Sequence, residues 1–368
     1  ARERMRAAGV PVVPGTHDID DPAACAAVGL PALVKASAGG GGKGMRVVRD
    51  AAALAEAVAA CRREAGSSFG DSTVYLERYL DGPRHIEEQV FADRAGRTVA
   101  LGERECSLQR RHQKVIEESP SPVVGPELRA RLCEAAVAAA KAVGYENAGT
   151  IEFLLAPDGS FYFLEMNTRL QVEHPVTEEA FGIDLVALQL SIAEGHPLPA
   201  NLPTTPSAHA IEARVYAEDA DAGFLPQTGT VLVYQAPTGP GIRVDSGVES
   251  GSPVSIHYDP MLAKIIARGA TRDEARRRLV EALRETVILG VTTNISYLRR
   301  VLSLPEVAAG EFDTGTLERI TLAPVPPPGD AVFSEAARLL ARPERAQGRS
   351  EEPAFPDPFA ASSFRVLA

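Results

Sequence analysis

Thr150-Ile151-Glu152-Phe153-Leu154-Leu155, a turn at Pro157-Asp158-Gly159, then Ser160-Phe161-Tyr162-Phe163-Leu164-Glu165-Met166 and Asn167-Thr168-Arg169-Leu170-Gln171-Val172-Glu173-His174-Pro175 form the most informative stretch of this chain. The first two runs predict a β-hairpin. Glu152 and Glu165 then sit on paired strands, with both carboxylates directed to one face. Two Glu and an Asn offer hard oxygen ligands of the kind that hold Mg²⁺ against nucleotide phosphates. Arg169 through Glu173 has neither helix nor strand periodicity, and such polar sequence directly after a strand usually lines a cleft. A divalent metal, a guanidinium and a free carboxylate close together make a site for phosphoryl transfer to an acid.

The 368 residues allow about two or three domains. A hydrophobic share of 45 % supports aliphatic cores rather than disorder. The net charge of −11 argues against a nucleic-acid surface, so an anionic ligand needs local basic groups. Two clusters supply them, Lys35 to Arg46 and Arg104 to Lys114. Cys25, Cys61, Cys106 and Cys133 form no metal-ligand spacing and read as reduced thiols of a cytoplasmic protein. No apolar run approaches the ~20 residues of a membrane span, and no signal peptide is visible. Ala1 opens in what reads as mid-helix, predicting a fragment whose N-terminal portion lies outside it.

The pattern along the chain is mixed α/β. Residues 1–9 read as a remnant of a preceding domain. Residues 10–80 form a small unit with strands at Pro11–Gly15, Ala32–Lys35, Met45–Val48 and Val74–Tyr79, and helices at Asp21–Val28 and Ala51–Arg63. Residues 81–205 carry strands at His85–Ala92 and Thr98–Glu103, turning at Asp93 to Gly96. An amphipathic helix follows from Glu127 to Val143, its apolar face formed by Leu128, Leu132, Ala135, Ala139 and Val143 and its end marked by Gly144. Residues 206–322 continue as α/β, with a capping box at Thr271 to Glu274 opening a helix to Glu285 and a further helix over Thr292–Leu302. Residues 323–368 are Pro-rich, then charged, and read as a linker.

Each remaining motif has a plain structural alternative. Lys35-Ala36-Ser37-Ala38-Gly39-Gly40-Gly41-Gly42-Lys43-Gly44-Met45 lies between two strands. It is a flexible hairpin loop or, with two lysines and unobstructed backbone N–H groups, a phosphate cradle. No helix follows, so it is neither a Walker loop nor a dinucleotide fingerprint. Glu77-Arg78-Tyr79-Leu80 ends a strand where an adenine edge is often read; alone it is an ordinary strand end. Gln109-Arg110-Arg111-His112-Gln113-Lys114 is a solvated basic face or, since Val115-Ile116 follow, a strand that points His112 and Lys114 at an anion. His209 to Tyr216 alternates as a strand with Glu212 and Arg214 on one face, and His257 to Met261 is a polar turn.

Taken together, three of these segments resemble the biotin carboxylase family of the ATP-grasp superfamily: Lys35 to Met45, Glu103 to Lys114, and the gap-free run Glu165 to Glu178. The resemblance runs from residue 1 to about 320, and the subtype is similar to the α subunit of an acyl-CoA carboxylase, nearest the methylcrotonyl-CoA type. It implies an ATP-grasp core, a small glycine-loop lid and a biotin carboxylase C-terminal domain. Lys35, Gly41, Gly42, Met45, Glu77, Arg78, Tyr79, Leu80, His85, Gln109, His112 and Leu154 would then surround ATP. Glu152, Glu165 and Asn167 would hold Mg²⁺ or Mn²⁺. Lys114, Arg169, Gln171 and Val172 would hold bicarbonate, with Glu173 as general base. Arg214 would stabilise the biotin enolate, and Asp259 would lie near the biotin site. The implied partners are a biotin carboxyl carrier, a carboxyltransferase subunit and a second copy of the chain; no nucleic acid or membrane is implied. An ATP-contacting Lys of the family falls before Ala1, no biotin-carrying Met-Lys-Met motif is present, and Arg78 stands where relatives often have Lys.

Overall fold

A computed structural model describes residues 2–38, 44–111 and 113–322, together with 329–331, 334 and 338. Gly41, Gly42, His112 and most of the 323–368 tail lie outside the described residues.

The helix α1 (Arg2–Ala7) buries Met5, which packs with Val10 into the core beneath the larger sheet described below. The small unit follows. Its strands β1 (Gly15–Thr16), β2 (Ala32–Ala36), β3 (Met45–Val48) and β4 (Val74–Arg78) form a sheet in the order β1-β4-β2-β3. Helices α2 (Pro22–Val28), capped by Asp21, and α3 (Leu54–Phe69) cover it. Its core is self-contained: Cys25, Val28, Ala32, Val34, Val48, Val58, Cys61, Val74 and Leu76 pack on one another. The strand expected at Pro11–Gly15 shrinks to two residues plus a single bridge from Val12 to Phe163. Pro11 and Pro14 have no N–H to give a ladder.

The larger sheet is built from hairpins in series. Strands β5 (Arg84–Ala92), β6 (Thr98–Arg110), β7 (Gln113–Ser119), β8 (Asn147–Leu155), β9 (Phe161–Asn167) and β10 (His209–Tyr216) join strands Ile242–Ser246 and Met261–Gly269. All eight are antiparallel, in the order Ile242–Ser246, Met261–Gly269, β10, β7, β6, β5, β8, β9. Strand β6 runs seven residues past the expected Glu103, because Arg104, Glu105, Ser107 and Gln109 are polar yet buried and mask the short apolar alternation of Cys106 and Leu108. The basic run is not one strand: Arg111, at φ 50°, turns the chain from β6 into β7.

Period-two alternation sorts the sheet's two faces. Ile86, Val90, Ile151 and Phe153 face α4 (Pro126–Ala142) and its Leu132, Ala136 and Ala139. Val143, expected on that face, is exposed just past the helix end. Ile211, Ala213, Val215 and Ile265 pack under α6 (Arg272–Glu285), whose Thr271 cap accepts from Glu274 N as the capping box predicts, and under the helix Ile295–Leu302. The opposite face carries the cluster of Glu87, Arg104, Glu117, Glu152, Glu212 and Arg214. It is roofed in part by α5 (His174–Phe181), where Val176, Ala180 and Phe181 meet Ala210 and Ile266. Gly102 lies under this roof at φ 83°, and an added Cβ would stand 2.4 Å from the Phe181 ring. Gly102→Ala is expected to cost roughly 3 kcal/mol, read as a lower urea midpoint at unchanged slope. Among the described residues no helix is long and apolar enough to cross a membrane.

Candidate active site

A cleft of about 950 Å³ separates the small unit from the charged face of the large sheet. Its walls include Lys35, Met45, Glu77, Arg78, Tyr79, Leu80, His85, Gln109, Lys114, Leu154, Arg169, Gln171, Val172, Glu173 and Arg214, and also Glu152, Glu165 and Asn167. Asp259 is not among them. It sits exposed on the turn before Met261, its carboxylate accepting from Met261 N at 2.9 Å.

Sheet register builds the floor. Glu152 stands directly opposite Glu165 on β9, and on its other side opposite Glu87 on β5, which in turn faces Arg104 on β6. One row therefore reads Arg104, Glu87, Glu152, Glu165 across four strands. Lys114 reaches over this row from β7 and pairs with Glu87 at 2.6 Å, Glu152 at 3.0 Å and Glu173 at 2.5 Å. The Glu173 carboxylate is shared: one oxygen faces Lys114, and the other accepts from Arg214 at 3.0 Å. The Arg214 guanidinium is fixed from behind by Glu117 at 2.5 Å. Glu152 is saturated, accepting from Lys114, Asn167 (2.9 Å) and Gln171 (3.0 Å) on one oxygen and meeting His85 at 2.7 Å on the other.

The charges follow from these contacts. Burial alone would raise the Glu87 pKa, but Arg104 and Lys114 outweigh it and hold the carboxyl at about 2. Burial likewise opposes ionisation of Glu152, and His85 and Lys114 keep it well below the usual carboxylate range. Lys114 and Arg214 resist desolvation because Glu87 and Glu117 respectively hold their charge in place. The exposed Glu165 is raised instead, by partial burial and by the Glu152 charge opposite, and it makes no ion pair among the described residues. The Glu165 carboxylate, facing Glu152 without a counter-charge among the described residues and lying beside the Asn167 amide, offers the hard oxygens a divalent cation takes, so Glu152, Glu165 and Asn167 fit Mg²⁺. His85, Glu87 and Glu152 also gather within 4.8 Å, but Arg104 and Lys114 already neutralise that group.

On the lid side, Lys35 pairs with Glu77 at 2.8 Å, and Arg2 hydrogen-bonds the same carboxylate. Arg169 stays exposed in the cleft, its guanidinium donating to the Leu170 carbonyl at 3.3 Å and forming no ion pair among the described residues. A cation held near the floor without a carboxylate partner is available to an anionic ligand.

Two contributors, Glu87 and Glu117, were not singled out from the sequence, and Arg104, read there as the start of a basic cluster for an anionic ligand, instead serves the floor from within. Arg104 is fully buried and donates to Glu87, to Gln89 at 2.8 Å, Thr177 at 3.0 Å, Thr150 at 3.1 Å and Gln171 at 3.4 Å. The available signal was His85-x-Glu87-x-Gln89, polar at period two against apolar Ile86 and Val90.

Glu117 faces Glu212 directly across β7 and β10, and Glu212 has both carboxylate oxygens buried without a hydrogen-bond partner. Burial, and the Glu117 charge opposite, raise the Glu212 pKa; burial raises Glu117 to about 7 against the pull of Arg214. Both groups bind protons more tightly folded than unfolded. Stability is therefore full below the ordinary carboxyl pKa and declines as pH rises through about 7. Glu212→Gln is expected to flatten that decline, measured as urea midpoints from pH 5 to 8.

Residues 1–201 match the carbamoyl-phosphate synthase L chain ATP binding domain, and residues 212–319 match the biotin carboxylase C-terminal domain. Methylcrotonoyl-CoA carboxylase subunit alpha of Dictyostelium discoideum is 48 % identical over 362 residues, 96 % of this chain and 52 % of the relative. The chain thus spans about half the length of that relative. Biotin carboxylase 2 of Bacillus subtilis is 48 % identical over 87 % of this chain and 73 % of its own. Among solved structures, a biotin carboxylase–β,γ-ATP complex from Campylobacter jejuni superposes with a TM-score of 0.82 at 42 % identity, covering 86 % of this chain and 72 % of that one. The biotin carboxylase domain of the Hydrogenobacter thermophilus 2-oxoglutarate carboxylase, in complex with MgADP, ADP and bicarbonate, gives 0.80 at 41 % identity, covering 86 % and 71 %. With both family models matching in order and a fold of the ATP-grasp type, the chain belongs to the biotin carboxylase family.

Proposed function

We propose that this chain catalyses the ATP- and bicarbonate-dependent carboxylation of biotin through carboxyphosphate, the first half-reaction of an acyl-CoA carboxylase. The observation that carries the reading is Glu173 held as a shared carboxylate between Lys114 and Arg214, beside the Glu152–Glu165–Asn167 floor. Mg²⁺ bound there by Glu152, Glu165 and Asn167 would neutralise charge on the phosphates. Lys35 and the glycine loop add positive charge and N–H groups from the lid. Lys114, Arg169 and the Gln171–Val172 segment orient bicarbonate, and Glu173 takes its proton as a bicarbonate oxygen attacks the γ-phosphorus and ADP leaves. Carboxyphosphate then divides into CO₂ and phosphate. The phosphate accepts the ureido N–H proton of biotin, and Arg214 offsets the enolate charge while the nitrogen adds CO₂. The lid excludes water from an intermediate that hydrolyses readily. Adenine would rest against Glu77 to Leu80, with Arg78 and Tyr79 in the wall, His85, Gln109, His112 and Leu154 around the nucleotide, and Asp259 toward biotin.

Biotin would arrive on a carrier domain, and a carboxyltransferase would receive the carboxyl group, consistent with relatives named as carboxylase subunits. A methylcrotonyl-CoA-type acceptor and a homodimer complete this reading, and the reduced, largely buried cysteines support a cytoplasmic location. The test is ATP hydrolysis by the full-length protein with oxygen-18 bicarbonate. Hydrolysis should require bicarbonate, rise with free biotin and pass label into phosphate. Hydrolysis indifferent to bicarbonate, or unlabelled phosphate, refutes the proposal.

A further inference from the structure

We propose that Lys264 is a positioning residue: by pinning the Val172 carbonyl it fixes where the Glu173 carboxylate begins. Lys264 stands directly opposite Arg214 on β10 and, on its other side, opposite Asp245. Two cations facing each other across adjacent strands repel. Here they diverge. Arg214 turns to Glu117 and Glu173, whereas Lys264, a buried residue, donates from its ammonium to the Val172 carbonyl at 2.8 Å and pairs with Asp245 at 3.3 Å.

Lys264 does not line the cleft as Arg214 and Glu173 do; its ammonium is turned to the Val172 carbonyl and Asp245. What it holds is a peptide plane. The carbonyl of Val172, the N–H of Glu173 and the Glu173 Cα belong to one rigid unit, so fixing the oxygen restrains the Cα from which the Glu173 side chain starts. The same segment is braced from its other end. Arg243 forks onto Asp245 at 2.9 and 3.1 Å and reaches Glu178 of α5 at 2.6 Å, and Glu178 accepts from Leu185 N at 2.7 Å. Asp245 and Arg243 thus connect the ammonium that grips residue 172 to the helix that begins at 174. Gln171 and Glu173, on either side of Val172, both line the cleft, so a rotation of this peptide moves the Glu173 carboxylate away from Lys114 and Arg214.

This inference rests on the proposed function only for the identity of the acid as bicarbonate. The experiment compares parent protein, Lys264→Met and Lys264→Arg in full-length form, using steady-state KM for bicarbonate and for ATP and amide hydrogen exchange of residues 170–174. In Lys264→Met the bicarbonate KM should rise about tenfold or more, as expected for loss of a charged hydrogen bond, with the ATP KM within about twofold. Exchange at 170–174 should quicken while that of α4 stays put, and Lys264→Arg should recover most of both changes. Equal exchange in Lys264→Met and parent, or KM values for ATP and bicarbonate rising by the same factor, overturns the proposal. If parent hydrolysis ignores bicarbonate, the functional reading falls, and the exchange comparison alone then decides the positioning role. Lys264→Gln, with the same two readouts, serves if Lys264→Met does not fold.

Discussion

Glu173→Gln is expected to lower kcat for bicarbonate-dependent ATP hydrolysis by about 10²–10⁴-fold, with the KM for ATP nearly unchanged. The exchange keeps the volume and one carbonyl-type acceptor but removes the charge and the base. In the parent, one Glu173 oxygen faces Lys114 and the other Arg214, so the group is oriented by two cations from two different strands. An amide in its place must turn its NH₂ toward one of those cations, which breaks a contact as well as removing the proton acceptor. The bicarbonate KM should rise too, because Lys114 would retain only Glu87 and Glu152 as partners and would be drawn toward the floor. The change should not unfold the protein, since Arg214 keeps Glu117 behind it. Turnover within about tenfold of the parent would remove Glu173 from the role of base and leave it as a charge partner of Lys114.

The second large effect is on stability. Arg104→Met is expected to destabilise by about 3–5 kcal/mol or more, seen as a marked loss of urea midpoint. Arg104 is the largest fully buried side chain among the described residues, and its guanidinium satisfies Glu87, Gln89, Thr150, Thr177 and Gln171 together. Its removal leaves Glu87 buried opposite Glu152, with Lys114 as the remaining counter-charge for both. The cost is that of an uncompensated carboxylate rather than of a lost contact. The double change Arg104→Met with Glu87→Gln should therefore recover a substantial part of the loss, a coupling that a double-mutant cycle measures directly. A loss under about 1 kcal/mol, or no recovery in the double variant, would mean that Glu87 is not held in place by this charge.

The hairpin holding Glu152 and Glu165 was legible because Pro157-Asp158-Gly159 fixes the turn, and the turn fixes the register. The turn carries the register only as far as Phe153 opposite Phe163; a β-bulge between Phe153 and Glu152, which the sequence did not announce, then sets Glu152 opposite Glu165. Arg169, Gln171 and Glu173 were legible as cleft residues because a polar, aperiodic segment has little other place to go. The supporting charges were not. Glu87, Arg104 and Glu117 lie in strands whose second face is polar and yet buried, and pattern reading assigns charged positions to solvent. Their burial depends on partners from other strands, brought together by pairings between distant segments such as β5 with β8 and β7 with β10. Strand β6 shows the same limit: Glu103-Arg104-Glu105 carries no apolar alternation, so its true length emerged only with its neighbours in place. Lys264 passed unnoticed between the apolar pairs Leu262-Ala263 and Ile265-Ile266, where nothing in the sequence marks the partners that bury it.

The pairing of β7 with β10 has a practical corollary for anyone who divides this protein. The gap between the two family matches, residues 202–211, covers a loop and the first residues of β10, and the β10–β7 ladder stitches the segments on its two sides into one sheet. A cut there would lay bare two complementary rows of unsatisfied N–H and C=O groups, one on each piece, each ready to template the other or to recruit a stranger. Separate halves should accordingly precipitate when expressed alone and dissolve as a reconstituted pair when produced together, with Arg214 delivered to its partners only by that reunion.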